Sequence, residues 1–186
     1  MSVIQDTRHA SRNRLAIILS HYAGFRVGEI SHLKVRDVLD ENLNCVDNIY
    51  LSPAYTKGAR GRLVAVSGRL KKEIKKHIVA LSEKEKSSKR VYVRSLLEPH
   101  MPLIASQKNG HFSPNSLCQL FGELYGLAGI TGASSHSGRR YFITKLAHKG
   151  VSPKVIMGLV GHQQYSTTIR YVEVNQRMKQ EAVNLL

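Results

Sequence analysis

Four residues in the last third of the chain constrain its fold most, because their chemistry requires them to meet. An H-x-x-R segment supplies His136 and Arg139, a Gly-His pair supplies His162, and Tyr171 follows soon after. Residues three apart share one face of a helix. Arginine offers a planar fork of N–H donors to phosphate oxygens, and histidine exchanges a proton near neutral pH. Together these side chains would surround one phosphate, which suggests phosphoryl transfer with tyrosine as the nucleophile.

The charge balance indicates the kind of partner. The chain has 186 residues, with 28 Lys and Arg against 13 Asp and Glu, a net charge of +15 and a pI of about 10.1. A field of this sign favours polyanions, although an RNA-binding protein of ribosomal type would share it. No apolar run is long enough for a membrane span, and the sequence has no tryptophan. Length and a hydrophobic content of 42% predict one packed domain over residues 1–186.

The cysteine and histidine patterns argue against a metal site and a disulfide, and the lack of a phosphate-binding loop motif argues against a nucleotide cofactor. Cys45 and Cys118 are far apart and have no partner at metal-ligand spacing, so we predict two reduced thiols in a cytoplasmic protein. The nine histidines form no H-E-x-x-H pattern, and no G-x-x-x-x-G-K-[ST] loop is present. We therefore expect neither a metal nor a cofactor.

Hydrophobic spacing predicts a mainly helical chain with one small antiparallel sheet. The residues from Leu43 to Val66 contain two segments typical of strands, joined by the cationic, glycine-rich turn YTKGARG. The segment SEKEKSSKR, at 82–90, is predicted to be a charged surface loop. Apolar spacing and capping residues predict helices at 11–22, 27–39, 68–82, 114–126, 136–148, 153–160 and 175–186, with a short helix or turn at 166–171.

Each of the four residues also has an ordinary explanation when it is taken alone. His136 and Arg139 suit an exposed face of a basic helix. The glycine before His162 suits a helix C-cap, and Tyr171, one of eight tyrosines, suits a position in the core or at an interface. The order and spacing of the set favour a phosphate site over these separate explanations.

The same order of residues continues toward the N-terminus. The segment AGFRVGEISHLKVRDV places Arg26 ahead of Glu29, and YTKGARGRLVAV places Lys57 in the turn; alone, these would be a surface ion pair and an ordinary turn lysine. With HSGRRYFITKLAHKGVS and LVGHQQYSTTIRYVEV, the chain resembles the catalytic domain of the tyrosine recombinases, the phage integrase family, over roughly residues 15–175. The catalytic positions that the resemblance fills are Arg26, Lys57, His136, Arg139, His162 and Tyr171, with Glu29 in support.

The resemblance implies DNA breaking and rejoining by transesterification, without metal or ATP. Tyr171 would attack a scissile phosphate, which forms a 3′-phosphotyrosyl bond and releases a 5′-hydroxyl. Arg26 and Arg139 would balance the charge on the non-bridging oxygens. Lys57 would protonate the leaving oxygen as a general acid.

The histidines and the neighbouring cations complete the implied site. His136 would take the tyrosine proton or bond the phosphate, and His162 would donate a hydrogen bond to a phosphate oxygen. Three further cations are predicted to contact double-stranded DNA, the expected partner: Arg60 and Arg62 beside the turn, and Arg140 on the helix.

The resemblance also implies a fold, from which two features depart. The fold is α+β, mainly α-helical, with a small three-stranded antiparallel sheet. Where the common motif reads H-x-L-R-H, Gly138 stands at the apolar position and Arg140 at the second histidine. We also expect the separate N-terminal core-binding domain of the family to be absent, which leaves a minimal recombinase, a fragment and a decayed element as alternatives.

Three functions stay open at this point. The first is a site-specific recombinase from a bacterium or a mobile genetic element. The second is a catalytically silent DNA-binding or regulatory remnant, and the third is an enzyme like the type IB topoisomerases. The helix predicted at 175–186 has apolar residues on one side. It either covers the core of its own protomer or mediates self-association on DNA.

Overall fold

The computed structural model describes residues 2–55, 60–87, 98–172, 179–180 and 183–184. Helices predominate, and one hairpin lies between them, so the predicted α+β, mainly helical class is confirmed. The helices are α1 (Ser2–Gln5), α2 (Ala10–Ala23), α3 (Val27–His32), α4 (Val35–Val38), α5 (Gly68–Ser87), α6 (Pro114–Leu127), α7 (Ser137–His148), α8 (Pro153–Val160) and α9 (Tyr165–Ile169). The strands are β1 (Asn48–Leu51) and β2 (Arg62–Ala65), and a short 3-10 helix spans Pro53–Tyr55.

Local sequence explains where several helices begin and end. Helix α6 begins at Pro114, and the Ser113 hydroxyl accepts a hydrogen bond from a first-turn N–H at 3.1 Å, as the sequence predicts. Helix α8 ends at Gly161, whose φ of 65° lies in the left-handed region. The helices predicted at 136–148 and 153–160 are confirmed.

The prediction of one continuous helix over 27–39 is wrong. The chain is extended at Leu33, whose carbonyl accepts the N–H of Leu103 at 2.8 Å. The N–H of Lys34 then donates to the Asp37 carboxylate at 2.7 Å, which caps the new helix α4. The interruption is stabilised by a partner distant in sequence, which apolar spacing alone does not reveal.

The prediction of a three-stranded sheet is also wrong for the described part of the chain. Strands β1 and β2 form a two-stranded antiparallel sheet in which Ile49 pairs with Val64, and both are buried. Leu39 and Cys45 form only an isolated bridge, because Leu39 follows directly on helix α4 and has no extended residues before it. Helix α5 also continues to Ser87, into the segment that we predicted to be a loop.

Helix α2 lies at the centre of the fold, packed against α5 and α7. Its residues Ile18 and Leu19 are fully buried, and each such side chain contributes about 1.5–3 kcal/mol through burial. A smaller apolar cluster joins α7 to α8 through Ile143 and Val160, and Tyr171 packs against it. Helix α7 is therefore fixed by α2 and α8, and it places Arg139 of the H-x-x-R segment between the end of α2 and the end of α8.

Gly138 allows α7 to approach α2 closely. A Cβ atom at this position would lie 2.5 Å from Ser20 Oγ and 2.5 Å from His21 Nδ1. Neither side chain is free to move away, because Ser20 is fully buried and His21 Nδ1 is 3.0 Å from the carbonyl of Ile17. This contact accounts for glycine at the position where the motif usually has an apolar residue.

We expect Gly138→Ala to destabilise the fold, although alanine favours a helix over glycine by about 1 kcal/mol. The reason is that overpacking of a close contact costs about 1–3 kcal/mol. Urea and thermal unfolding measure the change. Gly126→Ala in α6 is the matched control, because a Cβ there meets nothing within 4 Å, and we expect it to raise stability. Equal stabilisation by both substitutions would contradict the close α2–α7 contact.

Candidate active site

Four of the predicted catalytic residues come from four separate elements. Arg26 is the N-cap of α3, Arg139 lies in the first turn of α7, His162 follows α8, and Tyr171 follows α9. A cleft of about 380 Å³ opens where β2, α3 and α8 meet. The positively charged residues that line it are Arg26, Arg60, Arg62 and Lys154. A phosphate group in this cleft would meet several positive charges at once.

Arg139 is a buried residue that ties two loops together, which overturns the alternative of an exposed arginine on a basic helix. Its side chain is 5% exposed, and its Nη1 and Nη2 donate to the carbonyls of Gly24 and Val160 at 2.5 and 2.6 Å. Burial, followed by the charge of Arg26, lowers the pKa of Arg139 to about 9, so the guanidinium stays protonated at neutral pH. The Tyr171 phenol is close enough to act on the same guanidinium electrostatically.

Glu29 holds Arg26 at the start of α3. The backbone N–H of Arg26 donates to Glu29 Oε2 at 2.8 Å, and its Nη1 donates to Oε1 at 3.1 Å. The Glu29 side chain is 1% exposed, while that of Arg26 is 24% exposed. Burial alone would raise the pKa of Glu29, but hydrogen bonds and charge from Arg62, with help from Arg26, hold it below the usual range. Glu29 is thus an ionised, buried anchor for an arginine that still reaches the cleft.

His162 is held in a neutral state beside these cations. Its pKa is lowered to about 4 by burial and by the charges of Arg139, Arg26 and Arg62. The Nδ1 atom lies 2.9 Å from the hydroxyl of Thr168, which is fully buried. When this hydroxyl donates to Nδ1, the ring hydrogen resides on Nε2. In that form His162 can donate one hydrogen bond to a phosphate oxygen without adding a charge.

Tyr171 lies next to His162. The two rings are nearly parallel, with an interplanar angle of 28° and centroids 6.4 Å apart. Thr168 connects them, since its carbonyl accepts the backbone N–H of Tyr171 at 3.0 Å while its hydroxyl contacts the His162 ring. Sequence reasoning missed this threonine, and no pattern in the sequence marks it.

Four further predicted residues are exposed or lie outside the described part of the chain. His136 is exposed at the N-cap of α7, and the structure shows no hydrogen bond between its side chain and the described site residues. Arg140 is exposed, with Nη2 3.2 Å from Ser134 Oγ, and Arg60 is an exposed residue of the cleft. Lys57 lies outside the described residues.

The structure differs from the sequence prediction at two positively charged residues of the cleft. Lys154 at the start of α8 lines the cleft but was missed, because a lone lysine after Ser152-Pro153 gives no signal in a chain this basic. Arg62 was predicted to contact DNA, yet its guanidinium is paired with Glu29 and its side chain is 9% exposed. This geometry favours a contact within the protein for Arg62.

Among the described residues, no group of three or more His, Cys, Asp or Glu side chains is placed to hold a metal ion. The helices of those residues are all too short or too polar to cross a bilayer.

Solved structures of recombinases share this fold. A crystal structure of XerA recombinase matches with a TM-score of 0.68 and 20% identity, over 98% of this chain and 59% of that one. The XerH site-specific recombinase, bound to palindromic difH substrate in a post-cleavage complex, matches with a TM-score of 0.69 and 22% identity, over 98% and 48% of the two chains. The fold is that of a tyrosine recombinase catalytic domain.

Sequence relatives identify the family. Residues 1–178 match the Phage integrase family, and the chain belongs to it. A tyrosine recombinase from Pseudothermotoga lettingae is 26% identical over 181 residues, which cover 94% of this chain and 54% of the relative. Tyrosine recombinase XerA from Thermococcus kodakarensis is 30% identical over 190 residues, with coverage of 100% and 60%. The chain thus spans little more than half the length of these relatives.

Proposed function

We propose that this chain is a site-specific DNA recombinase of the integrase type, which cleaves and rejoins DNA through a 3′-phosphotyrosyl intermediate. The observation that carries the proposal is the position of Arg139. Its two hydrogen bonds join the loop before Arg26 to the turn before His162, next to the Tyr171 ring. The recombinase relatives and the recombinase–DNA complex described above support the same function.

The reaction follows from the chemistry of these groups. The Tyr171 oxygen attacks the scissile phosphorus, so that an O–P bond to tyrosine forms and the bond to the 5′ oxygen breaks. The phenol proton leaves with a base, for which exposed His136 is the predicted candidate, and the 5′ oxygen takes a proton from Lys57. Arg26 and Arg139 supply fixed positive charge to the non-bridging oxygens. Reversal of the same steps rejoins the strand. The phosphotyrosyl ester at Tyr171 conserves the energy of the cleaved phosphodiester bond until then.

The neutral state of His162 fits this reaction. A protonated histidine would add a further positive charge beside Arg26 and Arg139, which the low pKa of His162 disfavours at neutral pH. A neutral imidazole with hydrogen on Nε2 still donates to a phosphate oxygen. We therefore propose that His162 donates a hydrogen bond to a phosphate oxygen.

Double-stranded DNA is the proposed substrate, and the salt dependence of binding tests the cleft directly. Each neutralised phosphate contributes about −0.9 to the slope of log K against log salt concentration. We expect Lys154→Gln to reduce the steepness of this slope by about 0.9, because Lys154 lines the cleft. Lys72→Gln, which removes an exposed charge from α5 outside the cleft, is the matched control and should leave the slope near its original value. Equal slopes for Lys154→Gln and the unaltered chain would remove Lys154 from the interface.

The decisive activity test is covalent capture of DNA. The unaltered chain is incubated with a pool of nicked duplex fragments, and denaturing detergent is then added to remove non-covalent complexes. We expect recovery of protein-linked DNA, because a nick lets the strand beyond the cleaved phosphate diffuse away before rejoining. Absence of linked DNA would indicate a catalytically silent remnant and would contradict the proposal. Relaxation of supercoiled plasmid without any requirement for a paired site would favour a topoisomerase.

Two further predictions accompany this function. Cys45 and Cys118 are free thiols in the structure, and we propose a cytoplasmic location, where thiols stay reduced.

We also propose self-association on DNA through the segment after Tyr171, most of which lies outside the described residues. Sedimentation of the chain with and without bound DNA tests this.

A further inference from the structure

We infer that Arg62 is a positioning residue for the catalytic arginine Arg26, and not a DNA contact. The inference rests on the proposed function. Arg62 Nη1 and Nη2 donate to Glu29 Oε1 and Oε2 at 2.6 and 2.9 Å, in the two-pronged geometry that carboxylates and guanidinium groups favour. Its Nε donates to the carbonyl of Leu159 at 3.2 Å. All three nitrogens of Arg62 are thus engaged within the protein.

The charge of Glu29 explains why Arg26 depends on Arg62. Glu29 is 1% exposed, and a buried carboxylate requires a close positive partner. With Arg62 in place, Glu29 takes only one side-chain hydrogen bond from Arg26, and the structure pairs neither Nε nor Nη2 of Arg26 with any described residue. Without Arg62, Arg26 would be the one cation left on Glu29 among the described residues, and its guanidinium would turn away from the phosphate to pair with the carboxylate.

The same side chain supports the turn that carries His162. A Cβ atom on Gly161 would lie 2.9 Å from Arg62 Cδ, so the arginine lies directly against the turn. The N–H groups of Gly161 and His162 both donate to the carbonyl of Met157, at 2.9 and 3.1 Å. From strand β2, Arg62 therefore links the start of α3 to the end of α8, which are the two elements that bear Arg26 and His162.

The test compares two readouts, the rate of cleavage and the salt dependence of DNA binding. Arg62→Lys keeps the charge but loses the second bond to Glu29 and the bond to Leu159. At saturating nicked DNA we expect single-turnover cleavage to slow by about 10- to 100-fold, because small misplacements of a catalytic group have effects of this size. The salt slope is measured on Arg62→Gln, which removes the charge, and it should stay near that of the unaltered chain. A slope for Arg62→Gln that is less steep by about 0.9, with cleavage by Arg62→Lys at saturation intact, would make Arg62 a DNA contact and overturn the inference.

A double substitution separates positioning of Arg26 from a general effect on the fold. If Arg62 acts through Arg26, then adding Arg62→Lys to Arg26→Lys should slow cleavage by less than about threefold further, since residues of one network are not additive. An undiminished further loss in the double variant would show independent action and contradict positioning. Thermal unfolding of each variant establishes that the measured protein is folded.

If Arg62→Lys unfolds at the assay temperature, Glu29→Asp provides the second variant. The shorter side chain keeps its charge but withdraws the carboxylate from both Arg62 and Arg26, so cleavage should fall while the salt slope stays the same. Full activity of Glu29→Asp would overturn the inference. An unaltered chain that links no DNA would contradict the proposed function as well, whereas an active chain with a fully active Arg62→Lys variant would contradict only the positioning role.

Discussion

Tyr171→Phe is expected to abolish covalent linkage to DNA while leaving DNA binding nearly intact. Phenylalanine keeps the ring that packs against the apolar cluster of α7 and α8 and lies beside His162. It lacks the oxygen that would form the bond to phosphorus. The equilibrium constant for binding should change by less than about tenfold, because one hydrogen bond contributes about 0.5–1.5 kcal/mol.

The measurement is the yield of detergent-resistant protein–DNA complex on nicked DNA, with binding followed by fluorescence anisotropy. Tyr165→Phe is the matched control, since Tyr165 begins the neighbouring helix α9 and is 52% exposed. It should retain the yield of the unaltered chain. Linkage that persists in Tyr171→Phe, or that disappears only in Tyr165→Phe, would assign the nucleophile to another residue.

Arg139→Lys is expected to slow cleavage by at least about 100-fold, since the loss of one preorganised donor to a developing charge has an effect of this size. Lysine has a single charged nitrogen at its tip, so it cannot span the carbonyls of Gly24 and Val160 as the guanidinium does. The loops that carry Arg26 and His162 would lose their common tie. The fold should also be weakened, because a buried charge is left poorly bonded.

Single-turnover cleavage and urea unfolding of Arg139→Lys measure these two effects separately. Arg36→Lys, an exposed arginine on α4, is the control, and its stability should change by less than about 0.5 kcal/mol. A cleavage rate for Arg139→Lys within threefold of the unaltered chain, measured where the variant is folded, would contradict the role of Arg139 as the centre of the site.

Sequence reasoning succeeded where local spacing determines structure. The H-x-x-R segment predicted a helix from His136 with Arg139 in its first turn. The structure confirms this placement, because three residues span less than one turn of a helix. Gly161 predicted the end of α8, because the left-handed backbone there favours glycine. Local signals of this kind also explain Ser113 and Pro114 at the start of α6.

Sequence reasoning failed where a residue's role depends on a partner distant in the chain. Arg62 was predicted to contact DNA, but the fold pairs its guanidinium with the buried carboxylate of Glu29. The helix break at Leu33 depends on a hydrogen bond from Leu103. Thr168 gains its importance only because the turn at Gly161 brings His162 onto its hydroxyl. Such contacts are set by packing, and no interval in the sequence encodes them.

The central claim is that Tyr171 becomes covalently joined to DNA in the site built around Arg139. Its most direct test is to digest the captured complex with nuclease and protease and to locate the remaining nucleotide by mass spectrometry. The account predicts a nucleotide 3′-phosphate on Tyr171 and a free 5′-hydroxyl on the released strand. A nucleotide on any other residue, a released 5′-phosphate, or no linked nucleotide at all would contradict it.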